Sequence, residues 1–151
     1  MERKAANPSA GLKLVGEALL REQNRRFQTQ TDPDGRPWQP LAPLTVLTRG
    51  GATGPILRRS GQLMRSGAWQ VSGATLRIGL NTIYAGVQHF GATIVPKNAR
   101  RLAIPVPGGK PPVVMAGKVT IPARPIVGFG AKDEEAARGA IEGWLAVEGG
   151  G

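Results

Sequence analysis

Proline sets the hardest limit on what this chain can fold into. Between residues 92 and 127 it offers four strand-like triplets: Thr93-Ile94-Val95, Leu102-Ala103-Ile104, Val113-Val114-Met115 and Val119-Thr120-Ile121. Pro96, Pro105, Pro107, Pro111, Pro112, Pro122 and Pro125 interrupt or flank them. Proline has no N–H to give a ladder, so it is confined to edges, strand starts and bulges. A broad sheet interior is therefore excluded here. The extended arm region, 93–122, reads as a long proline-rich hairpin projecting from the body, of the kind that needs a partner to hold it. Lys97-Asn98-Ala99-Arg100-Arg101 and Pro107-Gly108-Gly109-Lys110 read as its basic turns.

The remaining elements follow from periodicity. The 151 residues suffice for one domain with a real core. Residues 8–30 read as a first helix, with Asn7-Pro8 as cap and first position. Leu12, Val15, Leu19, Gln23 and Phe27 form its buried stripe, and Arg21, Arg25 and Arg26 fall on a solvated face. Residues 31–55 read as an irregular segment. It contains the turn cluster Thr31–Pro37, a buried anchor at Trp38, a helical turn at Leu44–Thr48 and a glycine-rich loop from Arg49 to Pro55. A short helix is expected over 56–65, open to a break at Gly61. A hairpin over 68–80 follows, with Trp69, Val71, Leu76, Ile78 and Leu80 on one face. Residues 83–91 read as a helical turn with Ile83, Val87 and Phe90 pointing into the core. A last helix spans 133–147, capped by Asp133, with Ala137, Ile141, Trp144 and Leu145 as its apolar stripe. Gly139 and Gly143 would let it approach a neighbour closely. Gly149-Gly150-Gly151 reads as a frayed end.

Charge is unevenly spread. The formal net charge is +10, yet residues 35–132 contain no Asp or Glu. One-sided surface charge on this scale suits a phosphate-bearing or acidic partner, or else reflects compositional bias. Arg58, Arg59, Arg65, Lys97, Arg100, Arg101, Lys110 and Lys118 are the candidate partner-facing or DNA-facing residues.

The same asymmetry argues against an enzyme. A catalytic triad needs a nucleophile, a base and an orienting acid. His89 is the one histidine, it lies inside the acid-free stretch, and it reads as structural. Cysteine is absent, so thiolate chemistry and disulfides are excluded. One histidine with acids only toward the ends makes no metal site. Asp32, Asp34 and Gly35 lack the spacing of a calcium loop and read as a turn. Gly128-Phe129-Gly130 opens a helix as a dinucleotide loop would, but Glu134 and Glu135 would repel a pyrophosphate there. Lys110 follows glycines with no Ser or Thr after it, so no phosphate loop is present. No cofactor is implied. The N-terminus lacks an apolar leader, and no apolar run approaches the roughly 18 residues that span a bilayer, so a soluble chain made in a cytoplasm is expected. A small basic nucleic-acid-binding module stays open as an alternative, without exposed aromatics to stack bases.

One resemblance gives these features a context. Trp38-Gln39-Pro40-Leu41, Ile56-Leu57-Arg58-Arg59-Ser60-Gly61-Gln62-Leu63, Ile78-Gly79, Tyr84-Ala85-Gly86-Val87-Gln88-His89-Phe90-Gly91 and Ile121-Pro122-Ala123-Arg124-Pro125-Ile126-Val127-Gly128 occur in that order. Together they resemble the phage virion morphogenesis family, which includes tail-completion proteins of Mu-like and P2-like phages. The likeness runs over roughly residues 10 to 147. A common form of the Tyr motif has His before Gln, and here the order is Gln88-His89. Residues 97–119 look like an elaboration. The motif residues are Trp38, Leu57, Gly61, Leu63, Tyr84, Ala85, His89, Phe90, Gly91, Pro122, Arg124 and Pro125.

The resemblance implies a non-enzymatic virion protein at the neck or tail top, made in the host bacterial cytoplasm. It implies tail completion and head–tail joining, as a ring, often hexameric, around the DNA channel. Its partners would be further copies of itself, neighbouring neck, connector or tail-tube proteins and, non-specifically, DNA in the channel; no membrane is involved. The implied fold is α+β, a twisted antiparallel sheet or small β-sandwich flanked by N- and C-terminal helices. The element reading agrees, and it adds the projecting proline-rich hairpin. Residues 84–91 are expected to act as a hinge that sets where that arm points.

Overall fold

The computed structural model describes residues 8–49, 54–58, 60–106 and 112–149. Expectations for Asn7, for the loop over 50–53, for Arg59, for the tip 107–111 that includes Lys110, and for Gly150 and Gly151 lie outside them. The fold is α+β. Its long elements are two helices, α1 (Pro8–Thr29) and α5 (Ala131–Gly149), packed against each other. Between them in sequence come α2 (Pro43–Thr48), α3 (Gln62–Arg65), β1 (Gly67–Ser72), β2 (Thr75–Leu80), α4 (Ala85–Phe90), β3 (Ala92–Ile94), β4 (Leu102–Pro105), β5 (Val113–Ala116) and β6 (Val119–Ile121).

The strands form three separate two-stranded antiparallel ladders, not one continuous sheet. β1 and β2 pair with Trp69 opposite Ile78 and Val71 opposite Leu76, so the alternating apolar face lies over α1. The 92–121 stretch is a nested hairpin: β3 pairs with β6, and farther out β4 pairs with β5. Residues 95–101 leave the ladder on one side and only 117–118 on the other. That mismatch places Lys97, Arg100 and Arg101 in an exposed bulge. Within 92–121 a sheet of many strands is blocked by the proline spacing, since both ladders there end within a residue or two of one.

The helix expected over 56–65 contracts to Gln62–Arg65. Gly61, at φ 73°, holds the N-cap position, and Leu57 sits at φ 60°. Two left-handed residues within five positions cannot continue a right-handed helix. The turn is instead clipped to the end of α1 by Gln30. The Gln30 side-chain amide donates to the Ile56 carbonyl and accepts the Ile56 N–H, as a neighbouring strand would.

The core is built around Phe27 and Ile126, both fully shielded from solvent, with Trp38, Leu63 and Ala85 beside them. Phe27 and Trp38 meet edge to face, ring centres 5.6 Å apart. Helix α1 contributes a wide buried face on which Arg26, expected in solvent, is only 6% exposed. Arg21 and Arg25 do face outward. Arg26 pairs with buried Asp133, and donates a second hydrogen bond to the Ile126 carbonyl at 2.6 Å. Asp133 is not the cap itself but the third helical residue of α5. Its carboxylate reaches back to the Gly130 N–H at 2.9 Å, the return half of a capping box.

Close approach between the helices also differs from expectation. Gly139 and Gly143 face open space, whereas Gly11 and Gly16 on α1 receive the Trp144 and Trp69 rings. A Cβ on either would stand within 2.7 Å of an indole carbon. Ile141 and Leu145 stay 42% and 46% exposed, because α5 turns mainly Ala137, Ala140 and Trp144 inward.

Asp133→Ala would leave Arg26 as a buried charge without its counterion and remove the reach-back bond. It is expected to cost about 3–5 kcal/mol, read as a lowered urea midpoint. Replacement of exposed Glu134 by alanine, which breaks only a surface pair with Arg138, should change stability by less than about 1 kcal/mol.

Candidate functional site

Two of the motif stretches, Trp38–Pro40 and Tyr84–Gly91, meet at a third, the segment Ala123–Val127. Pro122 and Pro125 cannot enter a ladder, so the peptide groups of this strap need partners elsewhere. The structure supplies them one by one. The Arg124 N–H donates to the Gln88 carbonyl at 2.9 Å. The Pro125 carbonyl accepts the Trp38 indole N–H at 2.8 Å. The Ile126 N–H donates to His89 Nδ1 at 3.1 Å, and the Val127 N–H lies 3.4 Å from the same nitrogen. The Ile126 carbonyl accepts from Arg26.

This explains where α4 points its residues. Ile83, Val87 and Phe90 were expected in the core, but Ile83 is fully exposed, Phe90 is 78% exposed and Val87 is 38% exposed. The inward face is Ala85, Gln88 and His89. The strap needs hydrogen-bond acceptors, and that need overrides the apolar stripe. Gly91 closes the motif at φ 75°, where a Cβ would stand 2.7 Å from the Ile121 carbonyl oxygen. Tyr84 is on the rim, with its hydroxyl 3.4 Å from Gln62 Oε1.

Among the described residues His89 has no acid partner; it accepts backbone N–H groups through Nδ1 and meets the Phe90 ring edge to face at 4.5 Å. Desolvation lowers its pKa below the ordinary 6.5. Asp32 likewise spends its carboxylate on the Asp34 and Arg36 N–H groups, as a turn and not an ion site. Among the described residues no cluster of His, Asp and Glu could hold a metal ion, and no helix is long and apolar enough to cross a membrane.

On the far side of the strap lies a groove of about 480 Å³. One wall is Leu41, Leu44 and Arg49 in and around α2; another is the turn carrying Leu57, Ser60 and Leu63. Tyr84 and Gln88 close one end, and Lys118 through Pro122 run along the remaining side with Arg124. The motif residues Leu57, Leu63, Tyr84, Pro122 and Arg124 are thus brought together around one space. Arg124 is 6% exposed and donates Nε–H to the Gln39 carbonyl and Nη2–H to the Pro40 carbonyl, each at 2.8 Å. Burial first, and then the charge of Arg49, push its pKa down.

The other candidate cations are scattered. Arg65 is exposed and donates to the Ser60 carbonyl, and Arg58 is half-buried. Lys97, Arg100 and Arg101 sit on the arm bulge, and only Lys118 reaches the groove. Sequence reasoning missed Arg49, which carries no motif signal beyond its place in the acid-free stretch. It also missed the roles of Arg26 and Gln88. Arg26 had a signal, since it lies seven residues after Leu19 and three after Gln23, on the buried face.

Two measurements check this geometry. Because folding lowers the His89 pKa, the folded protein holds fewer protons there than the unfolded chain. The stability this site contributes is complete above pH 6.5 and is lost as pH falls through the folded-state value. The melting midpoint should drop on acidification below 6.5, and His89→Gln should flatten that slope. Phe90→Ala should leave the unfolding free energy within about 1 kcal/mol of the parent, as an exposed ring implies; a large loss would show that Phe90 is core.

With this geometry in place, comparison with known proteins is informative in one respect. No curated protein and no solved structure gives a significant match. The phage virion morphogenesis family matches residues 1–146. That family is a structural one and not an enzyme family, which agrees with a site made of backbone clamps, cations and apolar walls. The chain belongs to the phage virion morphogenesis family.

Proposed function

We propose that this virion morphogenesis protein acts at the neck or the top of the tail. There it completes the tail and joins it to the head as a ring-forming subunit around the DNA channel. The observation that carries this reading is the exposed apolar stripe of the Tyr motif. Val87 and Phe90 lie three residues apart on α4 and Ile83 stands just before its N-cap, all exposed beside the strap that fixes the helix in place. Large apolar side chains held rigidly in water mark a protein contact. A ring needs two different patches per subunit that meet heterologously and close. The α4 stripe is one, and the nested arm, with Ile94, Val113 and Met115 also exposed, is the other.

A second reading, a small basic nucleic-acid-binding module, draws on Lys97, Arg100 and Arg101 in the arm bulge. It requires retention on double-stranded DNA that falls steeply with salt. A ring subunit through which DNA slides needs only weak phosphate contact.

Particles assembled without this chain should show filled heads and separate or irregular tails by electron microscopy, and Phe90→Asp should reproduce that defect while its melting midpoint stays unchanged. Normal infectious particles in the absence of the chain would overturn the reading.

A further inference from the structure

We infer that the groove beside β6 is a docking site for an extended, acidic segment of another virion protein, which adds to the free edge of that strand. The inference rests on the proposed role in assembly only in taking the occupant to be protein. Three features of the groove define the occupant. The first is its charge. Every described lining residue falls between Leu41 and Arg124, inside the stretch that has no Asp or Glu, so among the described residues its wall contains no carboxylate. Arg49, Lys118 and Arg124 all face it. Among the described residues the ion pairs are Arg25–Glu22, Arg26–Asp133 and Arg138–Glu134, and none involves these three cations. Arg49 and Arg124 lie close enough for one charge to act on the other, a repulsion that an anion between them would relieve.

The second feature is the edge. Among the described residues β6 pairs with β3 alone, and no strand lies on its other edge. Five consecutive residues, Lys118 to Pro122, line the groove. Side chains alternate across a strand, so a run of consecutive lining residues means that the backbone itself forms that wall. An extended peptide can take its hydrogen bonds, as in strand addition. The third feature is the floor, where Leu41, Leu44, Leu57 and Leu63 face the same space. A segment alternating acidic and aliphatic side chains meets both the cations and the floor.

A second copy of this chain does not supply such a segment among the described residues. Its acids there lie in α1, in the Asp32–Asp34 turn and in α5. The one acid of the sequence outside them, Glu2, is followed by Arg3 and Lys4, so we take the occupant to be a different protein.

The test uses the full chain and a dye-labelled, end-capped peptide alternating aspartate and valine, read by fluorescence anisotropy. Its lysine–valine counterpart and a short double-stranded oligonucleotide serve as comparisons. Saturable binding of the acidic peptide alone is expected. It should weaken about tenfold or more in Arg49→Glu/Lys118→Glu, and measurably in the single variant Lys118→Glu, with melting midpoints unchanged. Equal binding of the acidic and basic peptides, or binding of the oligonucleotide without the acidic peptide, would overturn the inference. The same double variant is then supplied to particles lacking the chain. Failure to restore joined particles supports the groove. Full rescue by a folded variant that no longer binds the peptide overturns it and leaves the role in tail assembly standing. That role fails separately, if particles form normally without any copy of the chain.

Discussion

The structure depends on satisfying the peptide groups of a segment that cannot join a sheet. Pro122 and Pro125 take Ala123–Val127 out of any ladder, and Ile126 is nevertheless fully buried. A buried peptide group left without a partner costs about 1–3 kcal/mol, so several at once would remove most of the stability of a domain this size. The chain meets the cost with four groups from three separate regions: Arg26 of α1, the Trp38 indole, and the Gln88 carbonyl and His89 imidazole of α4. Asp133 then neutralises Arg26 and ties α5 to the same point. The two long helices and the motif helix are thus fastened to one another through the strap as well as by direct packing.

That arrangement accounts for the division of labour within the Tyr motif. His89 turns inward as an acceptor for the strap and Gln88 gives it a backbone carbonyl, while Val87 and Phe90 are left outside. In an isolated domain this would waste burial, since a large side chain gains about 1.5–3 kcal/mol when removed from water. In a protein that assembles, the same side chains are ready for a neighbour. Arg124 links the two sides: its main chain is bound by α4, while its side chain grips the Gln39 and Pro40 carbonyls and lines the groove. Changes in the strap will therefore disturb fold and groove together, whereas Arg49 and Lys118 are accessible to change without touching the core.

Much of the framework was legible in the sequence because it rests on local rules. The period of α1, the alternation of β1 and β2, and the acidic start of α5 each name their element directly. Trp38 reads as an anchor because a large ring between prolines has few other fates. What was not legible depends on distant backbone. Nothing near Arg26 announces that Asp133 will lie against it, and nothing in Ile83, Val87 and Phe90 says that residues 122–127 will claim the opposite face of α4. The 56–65 segment carries Leu57 and Met64 at helical spacing, but its backbone is left-handed at Leu57, where Gln30 clips the neighbouring Ile56. The groove was invisible for the same reason: its walls come from five stretches between Leu41 and Arg124 that only the strap draws together.

The prolines also decide where another chain can add. Exposed strand edges invite pairing, and proteins blunt them with prolines, bulges and lysines. Here Pro105 lies within β4, Pro112 precedes β5, and the bulge with Lys97, Arg100 and Arg101 interrupts the ladder beside β3. β6 keeps a free edge, but only over Val119–Ile121, between Lys118 and Pro122. Three residues can exchange few backbone hydrogen bonds, so affinity at this edge has to come from the cations and the apolar floor. A contact of that size is weak when made once. When several copies present it together, effective concentration turns weak contacts into strong attachment without any new interaction. A short, proline-bounded edge therefore suits the proposed ring, whose subunits would ignore stray strands singly yet hold firmly together.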